Sequence, residues 1–316
     1  KTMKNTYWIE EKELNKIDWI KKVNLACEKW KNKRGDDISL FYSYFSIDEH
    51  KLFTEEICRK IDVKLQGIGL EIGSGPGILS NSLLKIFDNI DKIYLLDKVP
   101  NLFELKRKIA LENSTSNKLE SIVGSFNDIK FENNYLDFVV DFDSIHHSDD
   151  IDKTFSEIAR VLKPGGILLC FDRAQPNYIS KKQIEDILEI EYSDKYKIEN
   201  NIKIGTKFTR RMNGEHEPKL KKWKQVARKY NLKSSIYIFH KQNIKSLFRA
   251  IYGLIVPYYI RKILKKGINI TTHYQLVLNY FGFNNINGIK IIKMDYRAKS
   301  ERSPKGKMIL YFQKGY

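Results

Sequence analysis

The sequence predicts an α/β fold built on a mainly parallel sheet with helices on both faces. Short apolar runs alternate with helical patterns from Gly67 to Asp172. A glycine-rich turn, Gly73-Ser74-Gly75-Pro76-Gly77, follows the first apolar run and opens the next helical pattern. Strands separated by helices of about 10–15 residues are typical of parallel sheets with right-handed crossovers.

The central part of the chain contains five predicted strands. They are 68–72, 92–96, 119–123, 136–141 and 167–171, and the helices predicted between them are 77–87, 101–112 and 150–162. Each strand is a short, nearly continuous apolar run, which is typical of a strand buried on both faces. Lys163-Pro164-Gly165-Gly166 is predicted to be a turn that leads into the fifth strand.

Before this region, apolar residues at mixed spacings of three and four predict an amphipathic helix over 8–31. Ser46 and Glu49 predict a capping box for a helix over about 47–62. Beyond it we predict helices at 180–191, 219–230, 244–265 (broken at Pro257) and 274–280, and strands at 234–240, 289–296 and 307–313. We expect the last two strands to pair as an antiparallel hairpin at the sheet edge. Either 234–240 or 289–296 is the sixth strand, and we favour 234–240.

Composition limits the class of protein. A hydrophobic content of 42% excludes wholesale disorder. The 56 Lys and Arg against 39 Asp and Glu give a net charge of +17, which favours an anionic partner, although Lys-rich surfaces also arise from base composition alone. Cys27, Cys58 and Cys170 are too scattered for a disulfide framework, so we expect reduced thiols in a cytoplasmic protein. We expect no signal peptide and no membrane-spanning helix.

The glycine turn points to a nucleotide-like ligand. Glycines at alternate positions let the backbone turn sharply and approach a ligand closely, and the following helix offers free N–H groups. Asp97 stands twenty residues after Gly77, at the end of the second strand, where a carboxylate can accept both hydroxyls of a ribose. Dinucleotide sites usually read G-x-G-x-x-G, whereas this turn reads G-x-G-x-G with Glu71 ahead of it.

That spacing resembles the first motif of the class I S-adenosylmethionine-dependent methyltransferases. The segments 123–131, 135–140, 143–150 and 158–166 resemble further motifs of the family's small-molecule branch, type 11. The resemblance covers about residues 65–172. It implies a Rossmann-like sheet and S-adenosylmethionine as cofactor. It implies cofactor-binding roles for Glu71, Gly73, Ser74, Gly75, Gly77, Asp97, Ser125, Phe126, Asn127, Asp141 and Asp143.

Two departures from the family pattern bear on function. The adenine loop usually carries Asp after its glycine, where this chain has Ser125, and Asn127 is a candidate to replace its contact. Enzymes that methylate exocyclic amines or glutamine carry [DN]-P-P-[FY] after the fourth strand. This chain reads Asp141-Phe142-Asp143-Ser144 there, which argues against both reactions.

Methyl transfer to a hydroxyl needs an acceptor held in line with the sulfonium and a group that removes a proton. The candidates are His146 and His147 after the fourth strand, Asp172 after the fifth, and His216 in the polar segment 210–217. His216 is a candidate base that Glu215 or Glu217 would orient, and the alternative is that the segment is a solvated loop. Arg173 is a candidate anion-binding group. A divalent metal at Asp143, Asp172 and His216 is conceivable, but the spacing demands none, and we predict no metal.

We divide the chain into a helical cap or lid (1–62), a cofactor-binding core (63–174), and an acceptor-binding insert with sheet-closing strands (175–316). The expected reaction is O-methylation of a polar or phosphate-bearing small molecule or a sugar of a surface polysaccharide. The polysaccharide expectation rests on a loose likeness of the segment 214–217 and Trp223 to bacterial enzymes of that kind. The alternatives are a natural-product, lipid or RNA methyltransferase, and a catalytically silent nucleic-acid-binding module, although no RNA-binding signature is present.

Two outer regions carry weaker expectations. The aromatic residues Tyr42, Tyr44 and Phe45 either form a lid over the sulfonium or simply pack. Residues 244–266 combine apolar and aromatic side chains with cations, which suits contact with an anionic membrane, a buried lid or a dimer interface. The oligomeric state is left open.

Overall fold

A computed structural model of the protein describes residues 3–14, 47–175, 177, 179–199, 202–240, 285–286, 289–293 and 308–315. The strands are β1 Lys4–Tyr7, β2 Gly67–Ile72, β3 Ile90–Asp97, β4 Leu119–Val123, β5 Leu136–Phe142, β6 Leu162–Asp172, β7 Leu232–His240, β8 Asn285–Ile286, β9 Ile289–Lys293 and β10 Met308–Lys314. The α-helices are α1 Glu11–Leu14, α2 Ile47–Lys60, α3 Ile78–Leu84, α4 Phe103–Glu112, α5 Ile151–Val161, α6 Lys181–Leu188, α7 Asp194–Glu199 and α8 Leu220–Lys229. Short 3-10 turns lie at Pro100–Leu102, Ile145–His147 and Arg211–Asn213.

The strands form a single sheet in the order β1-β4-β3-β2-β5-β6-β10-β7-β9-β8. Neighbouring strands from β1 to β6 run parallel, and β10 is antiparallel to both β6 and β7. The prediction of a mainly parallel, Rossmann-like sheet with antiparallel pairing toward one side is confirmed. The carboxyl ends of β2 to β6 therefore meet at one edge, which is where open α/β sheets bind ligands.

The predicted hairpin of 289–296 with 307–313 is wrong. β10 lies between β6 and β7, and β9 pairs in parallel with the far side of β7. The reason is that β10 is apolar on both faces: Ile309 joins the core on one face of the sheet, and Leu310 and Phe312 join the core on the other. A strand buried on both faces is stable in the interior of a sheet. The expectation that 234–240 is the sixth strand is confirmed by β7.

Two local predictions also differ from the structure. β1 is a polar four-residue strand at the sheet edge, without the apolar alternation that would have predicted it. The predicted turn over 163–166 lies within β6, where Leu136 pairs with Leu162 but Phe138 pairs with Ile167. The additional residues therefore bulge out of the strand, with Gly165 at φ +77°.

Helices cover both faces of the sheet. α5 and α8 pack on one face through Phe155, Ile158 and Trp223. α2, α3 and α4 pack on the other face through side chains such as Phe53, Leu79 and Ala110. Strand side chains alternate between the two cores, so Leu96 faces α5 and Leu95 faces α3. Both faces of the central strands are therefore covered by apolar side chains, and the polar groups of the site are confined to the carboxyl edge.

Several predictions lie outside the described residues. These are most of the helix over 8–31, the aromatic cluster Tyr42, Tyr44 and Phe45, the helices over 244–265 and 274–280, and the membrane-facing surface over 244–266. Among the residues that are described, no helix has the length and apolar character needed to cross a membrane. The described Cys58 and Cys170 are buried and unpaired with each other or any other described cysteine.

Candidate active site

The glycine turn joins the carboxyl end of β2 to α3. Gly73, Gly75 and Gly77 have φ values of +57°, +49° and +80°, a region that glycine adopts with little strain. The Gly75 N–H donates to Oδ2 of Asp97 at 2.7 Å, and the Ser74 N–H donates to the Leu96 carbonyl at 3.0 Å. The turn is therefore attached to the end of β3, next to the predicted ribose-binding carboxylate.

The three glycines differ in what surrounds them. A Cβ on Gly73 would collide with Cβ and Oγ of Ser144, and a Cβ on Gly77 would lie 3.1 Å from Leu95 Cδ1. A Cβ on Gly75 would meet no atom within 4 Å. Ser74 Oγ is buried and has no hydrogen-bond partner among the described residues. The turn thus leaves space at Gly75 and an unsatisfied hydroxyl beside it, as a cradle for a ligand requires.

Asp97 has two hydrogen bonds within the protein. Its Oδ2 accepts from Gly75, and its Oδ1 accepts from the Val99 N–H at 2.9 Å. The side chain is only half-buried at the end of β3. Each carboxylate oxygen can accept more than one hydrogen bond, so Asp97 can hold the turn and a ribose hydroxyl together.

Glu71 lies beneath the turn rather than above it. It is 2% exposed, and its Oε2 accepts hydrogen bonds from the backbone N–H and the hydroxyl of Ser80 in α3. Burial raises the pKa of Glu71 to about 7, although the Ser80 hydrogen bonds and the buried Lys106 oppose the shift. In this position Glu71 links β2 to α3 through its hydrogen bonds with Ser80, and its side chain lies on the core side of the turn.

The predicted adenine loop is fixed to α5. Arg160 donates to the carbonyls of Phe131 at 2.7 Å and Ile129 at 2.6 Å. The oxygen of Asn127 accepts from Ser148 Oγ at 3.3 Å and from Thr154 Oγ1 at 2.5 Å.

Within that loop the Asn127 side chain fastens the loop to the start of α5. Ser125 Oγ accepts from the Asn127 N–H at 3.2 Å. Phe126 is half-buried and packs against the core on the α5 face. The loop therefore lies beside Asp97, and the side-chain oxygen of Asn127 already accepts two hydrogen bonds within the protein.

Asp141 anchors the segment that follows β5. It is fully buried, and its Oδ1 accepts from the N–H groups of Ser144 and Ile145, each at 3.1 Å. Burial, together with the charges of Asp172 and Asp143, raises its pKa well above the usual range. These hydrogen bonds let Asp141 hold the start of the His146–His147 turn in place, and its role beside the cofactor stays a prediction.

His146 is held between Asp172 and Arg173. Its ring Nδ1 lies 2.6 Å from Asp172 Oδ1, and its backbone N–H donates to Asp172 Oδ2 at 3.0 Å. Its Nε2 lies 2.5 Å from an Arg173 guanidinium nitrogen. Arginine can only donate, so Nε2 must accept and the proton must be on Nδ1.

Neither His146 nor Asp172 suits a direct role with the acceptor. His146 is 1% exposed with both ring nitrogens engaged, and Asp172 is fully buried and also accepts from the Arg173 N–H at 2.6 Å. The sequence placed both among the catalytic candidates, and the structure gives them the geometry of positioning residues. They fix the turn from which His147 projects.

His147 is oriented by a backbone carbonyl. Its Nδ1 lies 3.1 Å from the carbonyl oxygen of Gly214, so Nδ1 carries the proton and Nε2 keeps its lone pair. Burial, then the neighbouring His146, lowers the pKa of His147 to about 4. The ring is neutral at pH 7 and partly exposed. Among the predicted catalytic histidines it has the best geometry to accept a proton, but it is a weak base.

The side chains of the segment 214–217 face alternately inward and outward. His216 points outward, 46% exposed, with Nε2 3.4 Å from Asp149. Glu215 and Glu217 point inward to Arg210, and Glu217 also accepts from Gln175 at 2.5 Å. The expectation that either glutamate orients His216 is therefore wrong, because both glutamates pair with Arg210 while His216 pairs with Asp149 at the surface.

The inward glutamates complete a buried charge cluster. Glu215 Oε2 lies 3.2 Å from Arg173 and 2.6 Å from Arg210. Burial alone would raise the pKa of Glu217, yet Arg210 and Arg173 bring it below its usual value. The segment after β6 is thereby joined to the histidine turn, and the His216 N–H donates to the His146 carbonyl at 3.1 Å.

Three side chains offer ligand atoms that lie within 4.8 Å of one another: Asp143, His146 and Asp172. His216, named with Asp143 and Asp172 from the sequence, is not part of this set. Nδ1 of His146 lies 2.6 Å from Asp172 Oδ1, a direct hydrogen bond with no room for an ion between them. Arg173 already supplies positive charge to all three residues. The three side chains are therefore arranged around the guanidinium of Arg173.

Sequence reasoning did not single out Ser144 and Gly214. The Ser144 hydroxyl donates to the Gly73 carbonyl at 3.0 Å and links the histidine turn to the glycine turn. Gly214, at φ +77°, ends a 3-10 turn and presents its carbonyl to His147. Ser144 lies in a recognised motif and could have been inferred. A backbone acceptor 67 residues from its donor leaves no signal in the sequence.

Part of the chain is similar in sequence to known proteins. The family model described as "Methyltransferase domain" matches residues 70–170. A demethylmenaquinone methyltransferase of Bacillus mycoides is 29% identical over 153 residues, which are 48% of this chain and 63% of that protein. A ubiquinone/menaquinone biosynthesis C-methyltransferase of Rickettsia massiliae is 28% identical over 171 residues, covering 52% of this chain and 68% of that protein.

The chain spans less than two thirds of the length of the Bacillus relative. Among solved structures, the YcgJ protein of Bacillus subtilis is similar with a TM-score of 0.47 and 14% identity, covering 83% of this chain and 99% of that one. The glycine turn, the carboxylate at the end of β3 and the histidine turn all lie within the matched residues. The match over residues 70–170 supports a class I, type 11-like S-adenosylmethionine-dependent methyltransferase.

Proposed function

We propose that this protein transfers a methyl group from S-adenosylmethionine to a small-molecule acceptor at the carboxyl edge of its sheet. The observation that carries the proposal is the turn at Gly75. Its N–H is held by Asp97, its φ is +49°, and the space where a Cβ would lie is open. A backbone kept bare at this point suits close contact with a nucleoside ligand.

The residues assign a direction to the cofactor. Asp97 would accept the ribose hydroxyls, and the loop with Ser125 and Phe126 would enclose the adenine. The sulfur end would then lie on the opposite side of the turn, toward Ser144 and His147. When bound, the cofactor supplies an activated methyl group, and the protein has to orient the acceptor, exclude water and accept a proton.

His147 favours an acceptor that loses its proton easily. A base with a pKa of about 4 is poorly matched to an aliphatic hydroxyl, whose acidity is close to that of water with a pKa of about 15.7. A phenolic hydroxyl resembles the tyrosine side chain, with a pKa of about 10, and needs far less assistance. The site therefore favours an aromatic hydroxyl-bearing ring over the sugar hydroxyl expected from the sequence.

The names of the relatives point in the same direction. The Bacillus and Rickettsia proteins are named for methylation of quinones, the second of them at carbon. We propose a hydroquinone-type ring as the acceptor, with the methyl group placed on ring carbon or ring oxygen. O-methylation of a polysaccharide sugar is the second candidate and rests on the sequence likeness alone.

Isothermal titration calorimetry tests cofactor binding. The wild-type protein should bind S-adenosylmethionine and S-adenosylhomocysteine and not NAD. Gly75→Val should abolish binding, because the side chain would fill the cradle. Gly205→Val is the matched control: Gly205 also has a positive φ, +84°, and open space around its Cβ position, but lies in an exposed loop. Binding of NAD, or of random RNA without any response to S-adenosylmethionine, would contradict the proposal.

Methyl transfer from labelled S-adenosylmethionine tests the acceptor. Turnover of 1,4-naphthohydroquinone should exceed that of UDP-glucose, and mass spectrometry with NMR should locate the methyl group on the ring or its oxygen. Faster methylation of the sugar nucleotide would reject the aromatic acceptor and restore the sugar expectation.

A further inference from the structure

The hydroxyl of Tyr192 contacts the residues on both sides of Gly214. It donates a hydrogen bond to the carboxylate of Glu215, and it accepts one from the side-chain amide of Asn213 at 3.1 Å. Gly214 lies between these two residues, and its carbonyl oxygen is 3.1 Å from Nδ1 of His147. One hydroxyl therefore holds the short segment of chain whose carbonyl orients the candidate base.

The ring of Tyr192 is held by further contacts of its own. It stacks on Tyr196, with the ring centroids 4.0 Å apart and an angle of 18° between the ring planes. The ring of Phe208 lies 5.8 Å away, and the Tyr192 N–H donates to the Phe208 carbonyl at 2.9 Å. The position of the ring is therefore supported by contacts other than those of its hydroxyl.

Glu215 is a fixed acceptor for this hydroxyl. Its side chain is 1% exposed, and its Oε2 lies 2.6 Å from Arg210 and 3.2 Å from Arg173. Burial, then the charge of Glu215, raises the pKa of Tyr192 above its ordinary value of about 10. The hydroxyl therefore keeps its proton at neutral pH and donates it to Glu215.

Gly214 depends on such support because it has no side chain to restrict its backbone. Its φ is +77°, in the left-handed region, and glycine has more conformational freedom than any other residue. Its own N–H donates to the Arg211 carbonyl at 2.9 Å. The direction of its carbonyl toward His147 is therefore set by the residues that flank it.

We propose that Tyr192 is a positioning residue for the methyl transfer proposed above. Its hydroxyl holds the residues on both sides of Gly214, and the Gly214 carbonyl in turn keeps the proton of His147 on Nδ1. The lone pair on Nε2 is then available to accept a proton. The role in catalysis rests on the proposed function, whereas the effect on the His147 ring does not.

Tyr192→Phe tests this role, because it removes the hydroxyl and keeps the stacked ring. In the cofactor-free protein, long-range ¹H–¹⁵N NMR spectra should show His147 only as the Nδ1–H tautomer in the wild type and as a mixture of both tautomers in the variant. With 1,4-naphthohydroquinone, kcat should fall about tenfold, because a misplaced base contributes less to the rate. KM and the affinity for S-adenosylhomocysteine should change by less than about twofold.

Tyr230→Phe is the matched control. The Tyr230 hydroxyl also donates to a carboxylate, that of Asp152 at 2.5 Å, but it lies at the end of α8. Its loss should leave both the His147 spectrum and kcat as in the wild type. Asn213→Ala removes the second hydrogen bond of the Tyr192 hydroxyl and should shift the tautomers in the same direction. This variant decides the question if Tyr192→Phe does not fold.

A folded Tyr192→Phe protein in which His147 is still only the Nδ1–H tautomer would overturn the proposal, whatever its turnover. An equal effect of Tyr230→Phe would also overturn it, because the effect would not be specific to the residues beside Gly214. A mixture of tautomers in Tyr192→Phe supports the proposed effect on the His147 ring. If the wild-type protein then methylates neither 1,4-naphthohydroquinone nor UDP-glucose, the proposed function is rejected and the effect on the ring stands.

Discussion

The ring of His146 and the carboxylate of Asp172 form a fully buried pair, with Nδ1 and Oδ1 2.6 Å apart. The pair joins the turn after β5 to the end of β6, and Arg173 closes it from the other side of the ring. Together the three residues hold the turn from which His147 projects.

Replacing Asp172 by Asn should destabilise the protein by about 1–3 kcal/mol, because asparagine has one side-chain oxygen and cannot accept all the buried hydrogen bonds that Asp172 accepts from His146 and the Arg173 N–H. Urea unfolding of the free protein measures this change. Asp152→Asn is a suitable control, since Asp152 also pairs with a cation, Lys229, but at the surface. Comparable losses in the two variants would show that the buried pair has no special stabilising role.

Gly73→Ala and Gly75→Ala should have different effects although both residues have a positive φ. A Cβ at Gly73 collides with Ser144, so that variant should lose thermal stability beyond the backbone cost of about 1–2 kcal/mol. A Cβ at Gly75 meets nothing, so that variant should lose only the backbone term but bind S-adenosylhomocysteine more weakly. Scanning calorimetry and titration calorimetry separate the two outcomes, and equal melting temperatures would contradict the packing difference.

His147 should be neutral over the physiological range, with its proton on Nδ1. The carbonyl of Gly214 accepts that proton, and burial lowers the pKa to about 4. Long-range ¹H–¹⁵N NMR spectra of the selectively labelled protein report both the tautomer and the titration midpoint. A proton found on Nε2, or a midpoint close to the ordinary value of 6.5, would mean that Gly214 does not hold the ring as described.

Acid should destabilise the fold through His50. This residue of α2 is 4% exposed, and burial lowers its pKa from 6.5 to about 4. The unfolded chain binds a proton below pH 6.5 that the folded protein does not bind until about pH 4. The free energy of unfolding therefore falls as the pH decreases from 6.5 to 4, by about 3 kcal/mol for this one group.

His50→Gln should remove that part of the pH dependence, because glutamine does not titrate. Chemical unfolding measured at pH 7 and at pH 4.5 gives the comparison. His216→Gln serves as the control, since the ring of His216 is exposed and its variant should follow the wild-type curve. Parallel curves for wild type and His50→Gln would contradict the burial effect.

The strands of the parallel core could be predicted from the sequence, because each is a short run of apolar residues. An element that faces solvent would not contain such a run. β2, β3 and β5 match their predictions to within a few residues, and the helix predicted over 150–162 matches α5. The glycine turn could be located from sequence because positive φ and close ligand approach both require glycine. These properties depend only on neighbouring residues.

The order of the last strands and the roles of the polar side chains were decided by tertiary structure. β10 lies inside the sheet because both of its faces are buried, a fact of packing that strand spacing does not report. The four catalytic candidates could be listed from sequence, but not the direction in which each points.

Arg173 fixes the tautomer of His146, Gly214 orients His147, and Glu215 turns away from His216. Each of these relationships joins groups that are distant in the chain or depends on which of two adjacent side chains faces inward. The sequence by itself determined the fold class, the resemblance to a methyltransferase family and the position of the glycine turn, because local patterns of residues specify them. Only the tertiary structure decided which polar side chains hydrogen-bond to one another. Hydrogen bonding and burial depend on partners that the local sequence does not specify.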